Sequence, residues 1–365
     1  MRVLHVLGDL NTGGGIENFV MNVYRNIDCS LVQFDFLVNT FSNDTKEENH
    51  YEKEIKTRGG KVYKMTAFTK NPIINLIEQN KFFKTQKYDA VEVHSGSPLK
   101  YIYCATAKKH KVKTTIFHAH GASDNPKSFL HKYTEKKLKK YCDFKFACAT
   151  KAGLYVYGDN ADVKIVPNAI DVEKFKYDTG SRAQKRKELN IEEKFVVGHI
   201  GRMSPEKNHK FLLEIFKEIH RKNNSAMMLL VGDGLLRGAI EKQASDFGLK
   251  DSIIFAGQRS DIPELLCAMD VFVFPSLWEG LGIALIEAQT NGLPCLVSDV
   301  VPDEANITEL VENISLKETA DFWARKALSY VNGYERRRMQ TEVTQAGYDI
   351  KDVAKWLQDF YLNNL

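Results

Sequence analysis

The chain has 365 residues, with 43% hydrophobic residues, 27% charged residues and a formal net charge of +4. This length favours two domains, and the composition is ordinary for a soluble globular protein. The small net charge gives no support for a nucleic-acid partner, and no apolar run approaches the ~20 residues that a membrane-spanning helix needs.

The amino-terminal run RVLHVL is followed by an acidic residue and a glycine-rich turn. It therefore predicts a first β-strand rather than a signal peptide. The six cysteines contain no CxxC pair, which favours reduced thiols and gives no indication of a zinc site. We expect a cytoplasmic protein.

The first half of the chain alternates near-continuous apolar runs with stretches of helical spacing. Such runs are typical of strands in a parallel sheet that is covered on both faces. The predicted strands are RVLHVL, LVQFDFLV, KVYKM, AVEVH, TTIFHAH and FKFACA. The predicted helices between them include IENFVMNVYRNI, NPIINLIEQNKFFKTQ and PLKYIYCATAKKH.

A second alternating series begins at Phe195, after the segment KIVPNAIDVEKF and a charged stretch. Its predicted strands are FVVGHIG, MMLLVG, SIIFAG, DVFVFP and LPCLVS. The chain is therefore predicted to be an α/β protein with two doubly wound, Rossmann-like domains, at residues 1–175 and 176–347. The terminal segment 348–365 has apolar residues at helical spacing and predicts an amphipathic helix.

The segment NTGGGIENF joins the first strand to the first helix. It lacks the GxGxxG spacing of a dinucleotide site, but a glycine loop at a helix N-terminus can approach a phosphate or a sugar closely. A plain tight turn is the alternative.

Three histidines follow strands of the first domain. His94 ends AVEVH, and His118 and His120 lie in FHAHG. We expect His118 and His120 to face opposite sides of their strand, one toward the site and one packed, which would disfavour a metal ion held by both. A purely structural role is the alternative for each of the three.

The segment GRMSPEKN follows the strand FVVGHI. Arg202 and Lys207 within it place two cations at a strand end beside a helix N-terminus, which suits a diphosphate. The alternative is a solvated basic loop.

Two glutamates, Glu279 and Glu287, stand in PSLWEGLGIALIEA directly after the apolar run DVFVF. Gly280 and Gly282 let backbone N–H groups approach a ligand, and the following helix N-terminus favours an anion. A carboxylate only accepts hydrogen bonds, which suits the vicinal hydroxyls of a ribose or a hexose. The segment predicts a site for a phosphate, a sugar and a ribose, and the alternative is a pair of surface charges.

Taken together and in chain order, these motifs resemble those of retaining glycosyltransferases of the GT-B fold, family 4. The matching segments are GGGIEN, FHAHG, VPNAID, GRMSPEKN, VGDG, FAGQRSDIPELL and PSLWEGLGIALIEAQTNGLP. The resemblance implies two Rossmann-like domains that face a central crevice, with a C-terminal helix that crosses back to the N-domain. It also implies a nucleotide-sugar donor held mainly by the C-domain and an acceptor held mainly by the N-domain.

The resemblance assigns roles to the glutamate loop. Glu287 is expected to accept hydrogen bonds from the ribose hydroxyls, and Glu279 is expected to contact the transferred sugar. The backbone of Gly280, Leu281 and Gly282 is expected to meet that sugar and the phosphates.

The resemblance also assigns roles outside that loop. Arg202 and Lys207 are expected to neutralise the diphosphate leaving group, and residues from Gln258 to Ile262 to border the base. His120 is expected at the sugar. Gly14 and Gly15 are expected near the donor phosphate and the acceptor.

The expected chemistry is transfer of a hexose with retention of configuration and without a covalent nucleophile. Cations and helix N-termini stabilise the charge that grows on the leaving group. The chain contains no Asp-x-Asp, so we expect neither a metal ion nor a cofactor. UDP is the donor nucleotide expected from the family.

As in many bacterial members of the resembled family, the expected acceptor is a lipid-linked saccharide, in bacterial surface polysaccharide synthesis. The lysine-rich segment Lys127–Phe144, with Leu130, Tyr133, Leu138 and Tyr141 on one side, is a candidate contact with the inner face of the cell membrane. An ordinary amphipathic surface helix is the alternative.

Two other functions remain open for the same fold. One is a nucleotide-sugar 2-epimerase, which would use the site without a separate acceptor. The other is a non-catalytic subunit that binds a nucleotide-sugar beside a partner transferase.

Overall fold

The computed structural model describes residues 1–8, 10, 15–40, 51–121, 128–159 and 161–364. The chain divides into two compact units. Unit 1 comprises Met1–Ile170 with Ile350–Leu365, and unit 2 comprises Asp171–Asp349. Within the described ranges, no helix is both long enough and apolar enough to cross a membrane.

Each unit is built on a parallel sheet of short strands. The strands of unit 1 are β1 Arg2–Leu7, β2 Gln33–Thr40, β3 Val62–Thr66, β4 Ala90–Ser95, β5 Thr114–Ala119, β6 Phe144–Ala147 and β7 Lys164–Ile165. The strands of unit 2 are β8 Val196–Ile200, β9 Met227–Val231, β10 Ile253–Gly257, β11 Val271–Phe274, β12 Cys295–Ser298 and β13 Val311–Ile314.

Helices connect these strands and cover both sheets. They are α1 Gly15–Asn26, α2 Glu52–Thr57, α3 Pro72–Thr85, α4 Tyr101–Lys109, α5 Phe129–Tyr141, α6 Thr150–Tyr157, α7 Thr179–Glu188, α8 His209–Lys222, α9 Arg237–Asp246, α10 Ile262–Ala268, α11 Ile283–Thr290, α12 Ala320–Leu328, α13 Gln340–Gln345 and α14 Ile350–Asn364.

The two sheets have the same winding. The strand order is β3-β2-β1-β4-β5-β6-β7 in unit 1 and β10-β9-β8-β11-β12-β13 in unit 2. In each sheet the order reverses after three strands, between β1 and β4 or between β8 and β11. Connections leave such a switch point toward opposite sides, so the carboxyl ends of its two strands flank an opening where ligands bind in folds of this type. The predicted doubly wound α/β architecture is confirmed.

The terminal helix α14 belongs to unit 1, where it packs against α1. Its apolar residues recur every three or four positions, so they form one stripe along the helix. Ile350, Leu357 and Tyr361 on this stripe are buried in the same core as β1 and β2. The Ile350 amide also donates to the Ile170 carbonyl oxygen at 2.9 Å, which fixes where the helix begins.

The sequence places the domain boundaries at 175/176 and 347/348, whereas the units divide after Ile170 and after Asp349. Phe175 lies in unit 2, because its carbonyl oxygen accepts a hydrogen bond from the buried Asn291 side chain at 3.0 Å.

Candidate functional site

The loop that follows β11 carries Glu279 into a buried position. The strand β11 ends at Phe274, and α11 starts only at Ile283. Gly282, just before the helix, has φ +82°, a left-handed conformation that glycine adopts without strain. Glu279 is only 9% exposed, so its carboxylate needs partners within the protein.

Lys207 supplies one of those partners. Its Nζ lies 2.5 Å from Glu279 Oε1 and 4.7 Å from the centre of the Phe274 ring. The loops are also joined through their backbones, since the Leu277 amide donates to the Glu206 carbonyl oxygen at 2.8 Å. The cationic loop after β8 and the glutamate loop after β11, predicted separately, therefore meet at the switch point of the unit 2 sheet.

Ser276 is the second partner of Glu279, and sequence reasoning missed it. Its hydroxyl donates to Glu279 Oε1 at 2.7 Å, and the residue is fully buried. The only signal in the sequence is a small polar residue directly after an apolar strand, three positions before the glutamate.

Glu287 lies in the second turn of α11 with a half-buried carboxyl group. Loss of water around this group raises its pKa to about 8, while the positive charge of Lys174 acts in the opposite direction. Among the described residues, no side chain is hydrogen-bonded to this carboxyl group. Within the described structure, the Glu287 carboxyl group is therefore available to hydrogen-bond with a ligand.

The predicted phosphate loop after β8 is held in place by the VGDG segment after β9. The Met203 amide donates to the Asp233 carbonyl oxygen at 2.9 Å, and the Gly201 amide donates to the Val231 carbonyl oxygen at 3.0 Å. A Cβ on Gly232, which has φ +129°, would lie 2.1 Å from the Gly201 carbonyl oxygen. Only glycine lets these two loops approach so closely.

Beside this loop, helix α8 begins without a side-chain cap. Asn208 precedes it in a left-handed conformation, and its side chain instead donates to the Pro275 carbonyl oxygen at 3.1 Å. The first amides of α8 therefore have no partner from a capping side chain, as at an anion-binding helix N-terminus. His209 Nδ1 and His199 Nε2 are buried nearby without hydrogen-bond partners in the described structure.

Arg202, Gln258 and Ile262, also predicted for the unit 2 site, have no described hydrogen bond or ion pair with Glu279 or Lys207. Arg202 and Gln258 are exposed, and Ile262 is the first residue of α10. Gly280 and Leu281 continue the glutamate loop, and Leu281 is buried.

Unit 1 contains a chain of imidazoles at its own switch point, in which His5 and His94 are buried and His120 is half-buried. His5 Nδ1 lies 3.0 Å from His94 Nε2, and His94 Nδ1 lies 2.9 Å from His120 Nε2. His120 Nδ1 in turn lies 3.0 Å from Asn168 Oδ1. Both ring nitrogens of His120 are thus engaged within unit 1. Its predicted role at the sugar stays a prediction, and this geometry leaves neither nitrogen free for a hydroxyl.

The expectation that His118 and His120 face opposite sides of their strand is wrong. Side chains two positions apart along a strand point to the same face. The two rings are stacked, with their centroids 4.1 Å apart.

The contacts of His118 fix where one proton lies. His118 Nε2 is 3.2 Å from the Val166 carbonyl oxygen, which only accepts, so this nitrogen carries a hydrogen. Its Nδ1 is 3.2 Å from Glu92 Oε1. Burial raises the pKa of Glu92 and lowers the pKa of His118 to about 3. Both shifts favour the neutral pair, in which Glu92 is protonated and donates to His118 Nδ1.

The same residues include two groups whose ligand atoms lie within 4.8 Å of one another, His94 with His118 and His120, and His5 with Glu92 and His94. Both nitrogens of His94, His118 and His120 already take part in the contacts described above. A metal ion at this place would have to displace those hydrogen bonds.

Of the predicted amino-terminal glycines, Gly14 lies outside the described residues. Gly15 is the first residue of α1, and a Cβ there would meet no atom within 4 Å. Behind His120, Gly121 approaches Gly96 so closely that a Cβ would lie 2.8 Å from the Gly96 Cα.

Comparison with known proteins adds independent information. The family model described as glycosyl transferases group 1 matches residues 181–345. EpsF of Bacillus subtilis (strain 168), which carries the name of a glycosyltransferase, is 32% identical over 380 residues that cover 99% of this chain and 96% of EpsF. An Escherichia coli protein named UDP-Gal:alpha-D-GlcNAc-diphosphoundecaprenol alpha-1,3-galactosyltransferase is 33% identical over 239 residues, which is 62% of each chain.

Solved structures show the same fold at low sequence identity. HepE from Anabaena, in complex with UDP and glucose, aligns over 100% of both chains with a TM-score of 0.78 and 17% identity. Sucrose-phosphate synthase from Thermosynechococcus elongatus aligns over 100% of this chain and 98% of its own, with a TM-score of 0.80 and 15% identity. These likenesses confirm the predicted GT-B fold.

Proposed function

Since this chain belongs to the group 1 glycosyltransferases, we propose that it moves a hexose from a nucleoside-diphosphate sugar, a UDP-sugar, to a saccharide acceptor. The observation that carries this proposal is the pairing of Lys207 with Glu279, 2.5 Å apart at the switch point of unit 2. A cation for a leaving diphosphate and a carboxylate for a sugar lie side by side there.

In this proposal the diphosphate binds at the loop after β8. Lys207 and Arg202 face its negative charge, and the uncapped N-terminus of α8 adds amide donors. The negative charge on the leaving group grows as the bond to the sugar breaks, so groups already in place lower the barrier. With these groups supplying positive charge, we propose a reaction that needs no metal ion or other cofactor.

Glu279 contacts the transferred hexose, and Glu287 accepts from the ribose hydroxyls. The backbone of Gly280, Leu281 and Gly282 approaches the sugar and phosphates, and residues from Gln258 to Ile262 border the base. We propose transfer with retention, in which the leaving phosphate takes the proton of the acceptor hydroxyl. This follows the family 4 resemblance. It requires no base from the protein, in keeping with a His120 whose ring nitrogens are both engaged.

The acceptor is proposed to be lipid-linked, in bacterial surface polysaccharide synthesis. The Escherichia coli relative supports this, because its name specifies UDP-Gal as donor and a diphosphoundecaprenol-linked sugar as acceptor.

The test is turnover of the purified chain with a panel of UDP-, GDP- and dTDP-sugars in the presence of EDTA. We expect a UDP-sugar to raise the unfolding midpoint, since a ligand that binds only the folded state stabilises it, and to be consumed only with a saccharide acceptor. The anomeric configuration of the product, measured by NMR, tests retention.

Release of an epimerised sugar without acceptor would indicate a 2-epimerase, and binding without turnover would indicate a non-catalytic subunit. Full loss of activity in EDTA would contradict metal independence.

We also propose that unit 1 rests on an anionic membrane surface from the cytoplasmic side. Helix α5 exposes Phe129, Leu130 and Tyr133, by 88%, 59% and 46%, among five lysines. Leu138, expected on this face, is instead buried in the core, and Lys127 lies outside the described residues. Helix α3 adds Ile73 and Ile77, which are 70% and 63% exposed.

Helices α3 and α5 both pack against α4, so the three helices lie on the same side of the unit 1 sheet. An apolar surface bordered by lysines suits lipid headgroups of negative charge. We expect co-sedimentation with vesicles that contain phosphatidylglycerol and not with pure phosphatidylcholine, and loss of it in Phe129→Ser/Leu130→Ser. Leu235→Ser, which changes a fully exposed leucine of unit 2, is the matched control. Equal binding by both variants would overturn the membrane contact.

A further inference from the structure

The two described side chains that donate hydrogen bonds to the Glu279 carboxylate both bind the same oxygen, Oε1. Lys207 Nζ lies 2.5 Å and the Ser276 hydroxyl 2.7 Å from Oε1. Among the described residues, Oε2 accepts no hydrogen bond. Two donors on one oxygen fix the plane of the carboxylate and leave the other oxygen to a ligand.

Ser276 is itself held rigidly. It is fully buried, and its carbonyl oxygen accepts from the Ser298 hydroxyl at 2.6 Å, at the end of the neighbouring strand β12. The preceding residue, Pro275, has its carbonyl oxygen bound by the Asn208 side chain. The backbone that carries the Ser276 hydroxyl is thus attached to two neighbouring elements, so the hydroxyl has little freedom to move.

We propose that Ser276 is a positioning residue for the transferred sugar. Its hydroxyl and Lys207 together hold Glu279 Oε1, so that Oε2 points at a hydroxyl of the hexose. Lys207 alone is not enough, because a flexible ammonium group that also faces the diphosphate fixes no single carboxylate plane. This inference rests on the proposed function, since it specifies how the sugar part of the donor is held.

If Ser276 acts through Glu279, its substitution should affect the binding of the sugar part of the donor and not that of the nucleotide part. A hydrogen bond to a charged group contributes enough that its loss lowers turnover by about tenfold to hundredfold. The nucleoside diphosphate does not touch Glu279 in the proposed arrangement. We therefore expect Ser276→Ala to lower turnover of the UDP-sugar by that factor and to weaken its binding, while the affinity for UDP alone stays within about twofold.

The experiment compares Ser276→Ala with Thr290→Val. Thr290 is also fully buried, and its hydroxyl donates to the Ile286 carbonyl oxygen within α11, away from Glu279. We expect turnover by Thr290→Val to stay close to that of the wild type. In a background of Glu279→Gln, Ser276→Ala should add little further loss, because the group that it positions is already altered. Full additivity of the two substitutions, or an equal loss of affinity for UDP and the UDP-sugar, would overturn the inference.

Failure of the proposed function gives a different pattern. A wild-type chain that binds UDP but turns over no nucleotide-sugar would contradict the transferase, whatever Ser276 does. The free energies of unfolding of Ser276→Ala, Glu279→Gln and the double variant then decide the contact itself. Coupling between the two substitutions would keep Ser276 as the residue that holds Glu279, and its absence would overturn that assignment.

Discussion

Burial raises the pKa of two carboxyl groups that differ in their hydrogen-bond partners, Glu92 in unit 1 and Glu287 in unit 2. Glu92 is enclosed by the protein, with one oxygen against His118 Nδ1 and the other accepting from the Tyr361 hydroxyl at 2.5 Å. Glu287 has no such partners among the described side chains. The first carboxyl group is part of the fold, whereas the second is available to a ligand.

Glu92→Gln should make the protein more stable than the wild type at pH 7, because the wild-type carboxyl group ionises on unfolding at this pH and the amide does not. The amide copies a protonated carboxyl group, since its nitrogen donates to His118 Nδ1 and its oxygen accepts from Tyr361. A group whose pKa is raised by folding contributes stability that is lost as pH rises. The variant, which cannot ionise at this position, should therefore lose less stability than the wild type as pH rises above about 4.5, the usual pKa of a glutamate, as measured by urea unfolding.

The control for this substitution is Glu92→Asp, whose shorter side chain cannot reach both partners and should destabilise unit 1. A loss of about 3–5 kcal/mol in Glu92→Gln at pH 7 would instead indicate a buried ion pair between Glu92 and a protonated His118.

Affinity for UDP should increase as pH rises toward and past 8, the pKa of Glu287. In the proposed arrangement ribose hydroxyls donate to the ionised carboxylate, and only about a tenth of the carboxyl groups are ionised one pH unit below the pKa. We expect binding to tighten by up to about tenfold between pH 7 and 9, measured by calorimetry. Glu287→Gln removes this titration and serves as the reference for ionisation of the phosphate. Parallel pH profiles of the two proteins would contradict the ribose assignment.

At the scale of residues, the sequence identifies candidate site residues more readily than it identifies their contacts. Glu279 and Lys207 are identifiable from their motifs, but their contact depends on β8 lying beside β11, and strand order cannot be read from either segment. The histidine chain depends on register, which sets His94 opposite His118 on adjacent strands. Ser276 has no distinguishing pattern of its own.

At the scale of elements, α14 completes the core of unit 1 from a distant part of the sequence. Leu357→Ala should cost about 2–5 kcal/mol of unfolding free energy, because Leu357 is 2% exposed in that core and its removal leaves a cavity. Leu362→Ala is the matched control on the same helix, at a residue that is 42% exposed, and should cost less than about 0.5 kcal/mol. Urea unfolding of both variants measures the difference. Equal effects would show that α14 is not part of a cooperative core.

The elements that the sequence predicts well are those with long apolar or periodic patterns, such as β1 and α14. Strands β7 and β13 were not predicted. Strand β7 has two exposed residues at the sheet edge, and β13 has only one fully buried residue of four, so neither carries an apolar run. The charged stretch that precedes Phe195 in the sequence contains α7, where Arg186 is buried and donates to the Ala268 carbonyl oxygen at 2.9 Å. Composition alone does not reveal a buried arginine of this kind.

For the whole molecule, histidines that are shielded from water determine the response to acid. Within the described ranges six of them have a lowered pKa, and desolvation is the first cause in each, namely His5, His94, His118, His120, His199 and His209. The pKa is about 4 for His5 and His209 and about 3 for His118. All six are uncharged in the fold at neutral pH.

Stability should therefore fall steeply as pH decreases below about 6.5, where unfolded histidines take up protons and the folded ones do not. Each proton taken up contributes a slope of about 1.4 kcal/mol per pH unit. Glu92 and Glu287 release protons on unfolding and so oppose this effect. Of the described residues, only these two carboxyl groups oppose the six histidines. We expect a net uptake of more than one proton on unfolding near pH 5.5, from urea unfolding at several pH values. A flat profile between pH 5 and 7 would contradict the buried neutral cluster.

The return of α14 to unit 1 also affects how the protein is made. On the ribosome, β1 to β7 emerge first, but Leu357 and Tyr361 follow Ile170 by about 190 residues. At ~5–20 residues per second, that interval is on the order of ten to forty seconds. Throughout it, the nascent unit 1 exposes the apolar groove that α14 later fills, whereas unit 2 has all its strands before α14 is synthesised. The half of the chain translated first is thus the last to finish folding, and it is where we expect chaperones that bind exposed apolar surface to act during synthesis.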